Sequence, residues 1–317
     1  MNSQNAYRTD LPTDELTACV SQALGRQCTL KKISGYLNRT EVFNVNDNDA
    51  VVKIYHHAPL SKFARERSAY QLLRGTNLPL ARFLAQGFLT DGTPWIALSS
   101  LQGQCPDASA ELMTAEQSVE FFRQWGGIAR TLHGIADDPT QTIDAIMRPE
   151  ASCFPESLQR YLDCRDAALQ RPGPFHQLMV SAANTMDAVV KRITGPAEPR
   201  FVHGDFSSRN ALVDLHGQGV TVSGLLDFER CRFGDPAQDL ADMWFKDLCG
   251  DRHRHAAFVC GYGPFEVGFD DRVHWHLLGL MFEIASWAPE RDPVYFQRAM
   301  QMLKAIAIGR PLFFESR

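Results

Sequence analysis

Three oxygen-bearing side chains around residue 210 stand at intervals that suit chemistry on a magnesium-bound nucleotide. Asp205, Asn210 and Asp227 lie five and seventeen residues apart, within Phe201-Val-His-Gly-Asp-Phe-Ser-Ser-Arg-Asn210 and the apolar stretch ending Leu225-Leu-Asp-Phe-Glu229. Between Asn210 and Asp227, apolar Ala211 to Asp214, the turn residues His216-Gly-Gln-Gly219 and the aliphatic Val220 to Leu226 predict a β-hairpin. The residue entering the first strand and the residue leaving the second meet at one end of an antiparallel pair, so Asn210 and Asp227 become neighbours. Magnesium takes oxygen ligands, keeps several waters and shares substrate phosphates, so one amide oxygen and one carboxylate suffice as protein ligands. Asp205, on the loop upstream, is then left to receive a proton from an attacking hydroxyl. A lone Asp after Gly is most often a turn residue; the complete set is harder to reach by accident.

Other elements must position a nucleotide against that set. Ala50-Val-Val-Lys-Ile-Tyr55 reads as an apolar strand with Lys53 in its middle, and a helix over 61–74 places Phe63, Tyr70 and Leu73 on one face. Glu66 shares that face. A carboxylate aimed at a packed surface needs a cation, because an unpaired buried charge is costly, and Lys53 is the natural partner. Leu30 to Ser34 and Glu41 to Val45 predict strands flanking Gly35-Tyr-Leu-Asn-Arg-Thr40, a turn whose backbone amides could contact a phosphate tail and where Gly35 permits close approach. No Gly-Lys-Ser or Gly-Lys-Thr is present, which disfavours a P-loop NTPase. Pro94 to Leu98 predicts a short strand, after which Ser99-Ser-Leu-Gln-Gly103 has the small polar character of a connector between lobes.

Beyond that connector the pattern turns helical. Phe121, Trp125, Ile128 and Leu132 repeat at helical spacing over 120–133, and helices are predicted over 158–169 and 177–193. Asp235 and Asp239 in Gly234-Asp-Pro-Ala-Gln-Asp-Leu240 read as structural support, with a helix starting at Asp239 and carrying Leu240, Met243, Trp244 and Leu248. Glu283 is the only acid in the apolar helix Trp275 to Trp287, placed to meet a substrate ammonium or a nearby basic side chain. Leu303 to Ile308 and Phe313-Phe314 are expected to pack on the same lobe.

The His-Gly-Asp of residues 203–205, the Asn five residues after the Asp, and Asp227-Phe228 after a hairpin together resemble the aminoglycoside phosphotransferase and choline kinase family, small-molecule relatives of the protein kinases. Leu132-His133 and Gly234-Asp-Pro followed by Asp239-Leu240 are similar to further family positions. The resemblance runs from about Leu30 to the last helices and is most specific over 201–240. It implies an α+β, protein-kinase-like two-lobed fold with a small antiparallel β-rich first lobe and a larger helical second lobe: residues 1–98 as nucleotide-binding lobe, 99–103 as hinge, and 104–317 as catalytic and substrate-binding lobe. It further implies ATP and Mg as cofactors, Asp205 as the catalytic Asp, Asn210 and Asp227 as metal ligands, and Lys53, steadied by Glu66, on the donor phosphates. By the same resemblance Gly35 and Asn38 belong to a degenerate phosphate loop, and the backbone of Ser99 and Leu101 would bond an adenine edge. His203 holds the loop's shape. The sequence departs from relatives at Phe206-Ser-Ser-Arg209, where Arg209 could neutralise a γ-phosphate or point at solvent. A nucleotide-binding pseudoenzyme is disfavoured, since such a descendant needs no complete Lys53, Glu66, Asp205, Asn210 and Asp227 set.

Composition agrees. A chain of 317 residues exceeds what one hydrophobic core usually serves, and 44% apolar with 22% charged residues is ordinary for globular protein. No apolar run approaches a membrane span and the first residues lack signal-peptide character, so the expectation is a cytoplasmic location with no membrane partner. The eight cysteines are scattered without a Cys-x-x-Cys pair and are expected to be reduced, mostly buried thiols. A net charge of -5 argues against nucleic acid as partner. The acidic excess lies after residue 100, which favours a cationic acceptor or reflects solvated surface carboxylates. The expected acceptor is a small hydroxylated molecule, with an aminoglycoside-type antibiotic leading and an amino alcohol, amino-acid hydroxyl or sugar as the alternative; oligomeric state stays open.

Overall fold

Strand parity explains the first unit. In the strand over residues 50–54, Ala50, Val52 and Ile54 are fully buried while Val51 and Lys53 are half-buried on the opposite face, as the two-residue period of a pleated strand requires. A computed structural model describes residues 13–33, 40–56, 58–106, 112–138, 144–148, 154–155 and 157–307. The expected phosphate turn with Gly35 and Asn38, and the Phe313-Phe314 end, lie outside them. The chain divides into two compact units, residues 1–102 and 103–317.

The first unit runs α1 (Thr13–Leu24), β1 (Leu30–Lys32), β2 (Glu41–Val45), β3 (Ala50–Ile54), α2 (Leu60–Leu72), β4 (Phe83–Phe88) and β5 (Pro94–Ser99). The strands form one antiparallel sheet in the order β1-β2-β3-β5-β4, with Lys53 paired across to Val42 and Ile96. Leu16 and Val20 of α1 join Phe43, Val45, Val52, Ile54 and Trp95 in its core. In α2, Phe63, Glu66 and Tyr70 are all buried, as their shared helical face predicts.

The second unit contains α3 (Ala115–His133), α4 (Leu158–Leu169), α5 (His176–Val190), β6 (Arg200–Val202), β7 (Ala211–His216), β8 (Gly219–Leu225), β9 (Arg232–Gly234), α6 (Ala237–Met243), α7 (Arg252–Tyr262), α8 (Phe269–Arg291) and α9 (Pro293–Ala307). It is mainly helical, with two small antiparallel pairs, β6-β9 and β7-β8. A capping box opens α3: the Thr114 hydroxyl accepts the Gln117 N–H while the Gln117 side chain accepts the Thr114 N–H. The predicted face of α3 is buried at Phe121, Trp125 and Leu132. The α+β class and the split into a β-rich and a helical unit agree with the expected kinase-like fold. Among the described residues, no helix is long and apolar enough to cross a membrane.

Two expectations are corrected. The helix expected from Asp239 begins at Ala237, and from Trp244 to Leu248 it widens into a π-helical turn. The thiols are not mostly buried: Cys28 and Cys231 are, but Cys249 and Cys260 are exposed, and none of the seven described cysteines forms a disulfide. Cys260 is apolar enough for a core, yet it falls on the side of α7 away from buried Phe258.

Helices α3 and α7 approach so closely that side chains are excluded at the crossing. A Cβ at Gly126 would lie 2.1 Å from the Phe258 carbonyl oxygen, whereas one at Gly127 would meet nothing nearer than 3.9 Å. Gly126→Ala is therefore expected to destabilise by about 1–3 kcal/mol through overpacking, despite the helix propensity gained, while Gly127→Ala is neutral or stabilising. Thermal unfolding of the two variants checks this.

Candidate active site

The loop after β6 is shaped by one carboxylate. Asp239 of α6 is fully buried; its Oδ2 accepts the His203 N–H at 2.6 Å and its Oδ1 accepts the Gly204 N–H at 2.8 Å. His133, at the end of α3, adds its Nε2 at 3.2 Å. Gly204 has φ +76°, and a Cβ there would lie 2.3 Å from the Arg230 carbonyl oxygen, so glycine is required. The His203 Nε2 donates to the Leu226 carbonyl at 2.8 Å, and Phe206 stacks on Trp125 at 4.4 Å. Burial alone would raise the Asp239 carboxyl, but the bonds and charges of His133 and His203 hold it below its ordinary value. Asp235 is used differently: it accepts from His276 at 3.1 Å, from Arg272 at 3.2 Å and from the Ala237 N–H at 3.0 Å, tying the start of α6 to α8.

The hairpin brings Asn210 and Asp227 to the same end. Ala211 pairs with Leu225, and the Leu226 N–H donates to the Asn210 carbonyl at 2.9 Å. The Asn210 side-chain Nδ2 donates to the Asp205 carbonyl at 2.8 Å, which leaves its Oδ1 as the acceptor or ligand atom. Asp227 sits at φ 65°, ψ 66°. A left-handed backbone is costly for a residue with a Cβ and concentrates at functional positions.

Asp205 is not a free carboxylate. Arg209 contacts it through one terminal nitrogen, at 2.8 Å to Oδ1 and 2.6 Å to Oδ2, and the Lys246 Nζ donates to Oδ1 at 2.6 Å. Burial alone would raise the Asp205 carboxyl, but Lys246 and Arg209 outweigh it and hold it well below the usual carboxylate range. Lys246 also lies 3.5 Å from Asp242, whose carboxyl is pushed up by burial despite that partner.

Sequence pattern alone does not single out Lys246, and its placement depends on the π turn. The next residue, Asp247, accepts both the N–H (3.0 Å) and the hydroxyl of Ser208, so the turn grips the loop at two points. Arg298 of α9 donates to the Phe245 and Lys246 carbonyls at 2.8 and 2.7 Å, serving acceptors in the π turn. The only sequence signal is Lys246-Asp247 interrupting the apolar run Leu240, Met243, Trp244, Leu248.

In the first unit, the Lys53 Nζ donates to the Glu66 Oε2 at 2.6 Å, with the side chains 12% and 2% exposed, and the Tyr55 hydroxyl donates to the same oxygen at 2.5 Å. This is the partnership expected from the helical face of Glu66. At the connector, the Ser99 N–H donates to the Arg82 carbonyl at 2.8 Å and its hydroxyl accepts the Arg82 N–H at 2.9 Å. A main-chain contact from Ser99 to a base would therefore use its carbonyl. Leu101 is half-buried in the extended stretch after it.

Within the second unit, a cavity of about 310 Å³ is lined by Arg209, Arg230, Lys246, Asp242, Glu283 and Trp287, among others. Its volume is at the small end of the roughly 300–1,000 Å³ common for ligand pockets.

Asp239→Asn should leave one loop N–H facing an amide NH₂ and remove the charge, costing about 3 kcal/mol. Because Asp235 and Asp239 are held below their ordinary values when folded, the stability they confer is present above the unfolded carboxylate range near pH 4 and is lost as pH falls through the folded values. Thermal unfolding between neutral pH and pH 3 should show a lower midpoint for the variant at neutral pH and a shallower loss on acidification.

A family model described as the phosphotransferase enzyme family matches residues 29–272. Among solved structures, aminoglycoside 2'-phosphotransferase-IIIa with GDP shares the fold at a TM-score of 0.64 and 16% identity, covering 94% of this chain and 99% of that one. A thermostable mutant of aminoglycoside phosphotransferase APH(4)-Ia with ADP and hygromycin B gives 0.67 and 13%, covering 93% and 98%. A putative aminoglycoside phosphotransferase from Ralstonia eutropha gives 0.66 and 15%, covering 94% and 96%. At these identities the structural likeness speaks to the fold. The family match extends over most of the chain, from the strands of the first unit through the catalytic-type loop and into α8, and on that ground the chain belongs to the phosphotransferase enzyme family.

Proposed function

We propose that the chain transfers the γ-phosphate of ATP to a hydroxyl of a small molecule. The observation that carries this reading is the loop and hairpin assembly, in which an ionised Asp205 sits just before a hairpin that has Asn210 and Asp227 at one end. Two oxygen donors of this kind suit magnesium, which keeps its remaining positions for water and phosphate. Bound there, it would supply charge neutralisation on the phosphates. Asp205 orients the acceptor hydroxyl. A carboxylate held this far below its usual range is a weak base, so it takes the proton late, as the bond to phosphorus forms. Lys53, fixed by Glu66 and Tyr55, engages the donor phosphates, and the carbonyl of Ser99 with the backbone of Leu101 is the proposed contact to the base. Gly35 and Asn38 are proposed for the phosphate turn.

For the acceptor, fold likeness to proteins solved with kanamycin and with hygromycin B supports an aminoglycoside-type antibiotic. The cations lining the cavity favour a second reading, a hydroxylated metabolite.

With magnesium and ATP, Asp205→Asn is expected to lower turnover by about 10²–10⁴-fold while ATP binding persists. If ATP is neither bound nor consumed by the wild type, the reading fails. Bacteria expressing the chain should show a raised inhibitory concentration for an aminoglycoside under the first acceptor reading and no change under the second.

A further inference from the structure

Most acids around the cavity are engaged, while two of its arginines keep open donors. Asp205 is held by Arg209 and Lys246, and Asp242 lies within 3.5 Å of Lys246. The Asp292 Oδ1 accepts the Tyr295 N–H at 2.9 Å, in the first turn of α9. The Glu283 carboxylate makes no hydrogen bond or close ion pair among the described residues and acts on Arg160 and Arg230 only through space. Arg230 is exposed, lines the cavity, and its guanidinium makes no hydrogen bond or close ion pair among the described residues, although Asp242, Asp205, Glu283 and Glu229 act on it through space. Arg209 is 52% exposed and uses only one of its nitrogens on Asp205, leaving Nε and Nη1 without a partner among the described residues. A guanidinium carries five donors in a fixed fork that matches a carboxylate or phosphate in two-pronged fashion. A polycation entering here would find Glu283 as the lining carboxylate without a close partner among the described residues, and would meet two arginines that repel it.

Resting on the phosphotransferase reading above, we infer that the acceptor is a small hydroxylated compound bearing an anionic group, a carboxylate or phosphate, received by Arg230 with the open nitrogens of Arg209, and that it is not a polycationic antibiotic. The hydroxyl is oriented by Asp205, and the phosphoryl group passes from ATP to the hydroxyl oxygen, with the hydroxyl proton going to the Asp205 carboxylate and ADP leaving. The cavity size fits such a molecule.

The test uses the full chain, magnesium and ATP with a matched panel: glucose, glucosamine, glucuronate, glycerate, homoserine, glucose 6-phosphate and kanamycin. ADP release and mass spectrometry of the products are followed. The expected result is phosphate transfer to an anion-bearing member with kcat/KM at least about tenfold above its neutral analogue. Arg230→Gln should raise the KM for that acceptor by about tenfold or more, with the KM for ATP changed by less than about twofold, and Arg230→Lys should recover part of the loss. The inference is overturned if anion-bearing members neither accept phosphate nor alter ATP turnover, if kanamycin or glucosamine is the preferred acceptor, or if Arg230→Gln raises the KM for ATP instead, which would assign the arginine to the donor. Absence of any ATP turnover, with or without acceptor, would instead remove the phosphotransferase reading itself.

Discussion

Asp239 accepts two consecutive main-chain N–H groups, from His203 and Gly204, and a third bond from His133. Those two N–H groups are turned inward by the left-handed backbone at Gly204 and have no strand partner at that point, so without the carboxylate they would be buried donors left unsatisfied. The charge of Asp239 is itself tolerated in a fully buried position only because three donors surround it. The loop and α6 are thus mutually dependent: the loop's geometry exists because the carboxylate is there, and the carboxylate stays ionised because the loop supplies its partners. His203 extends the same arrangement to the Leu226 carbonyl, immediately before Asp227. Through this chain of contacts the catalytic-type loop, the hairpin end and α6 share one rigid frame.

A second frame is built from the π turn. An α-helix that continued regularly past Met243 would carry Lys246 and Asp247 to other directions, because a π turn inserts extra backbone per turn and rotates the residues beyond it. Here Lys246 reaches Asp205 and Asp247 reaches Ser208. Arg298 bonds two of the turn's carbonyls, so α9, far along the chain, helps to hold Lys246 in place. Asp205 is accordingly held as an ionised carboxylate in a fixed position, a state that suits the proposed role of orienting an acceptor hydroxyl more than that of a strong base.

Charge counting and charge placement give different answers in this protein. By count, the residues after position 100 are acidic, and a cationic acceptor is the natural expectation. By placement, Asp205 and Asp242 share Lys246, Asp292 is engaged at a helix start, and the groups with open donors are Arg209 and Arg230. Summed charge governs long-range steering, which salt screens beyond about 10 Å; recognition inside a cavity is decided by which charged groups still lack a partner.

Short-range pattern made much of this legible in advance. Helical spacing placed Glu66 on the packed face of its helix, where a buried carboxylate needs a cation, and the 2.6 Å pair with Lys53 is the result. Turn residues at 216–219 predicted the hairpin that gathers Asn210 and Asp227. Periods of two and 3.6 residues are local properties, and a hairpin has one register that buries its apolar face, so these features are written in the chain itself. The π turn, the grip of Lys246 and Asp247 on the loop, the bonds from Arg298 and the exposed guanidinium of Arg230 at the cavity were not legible. Each depends on which distant segment packs where: Lys246 stands 41 residues from Asp205, and Arg298 stands 52 from Lys246. Local propensity determined which residues could carry the chemistry, while tertiary packing alone decided which charges are paired and which are left to meet a substrate.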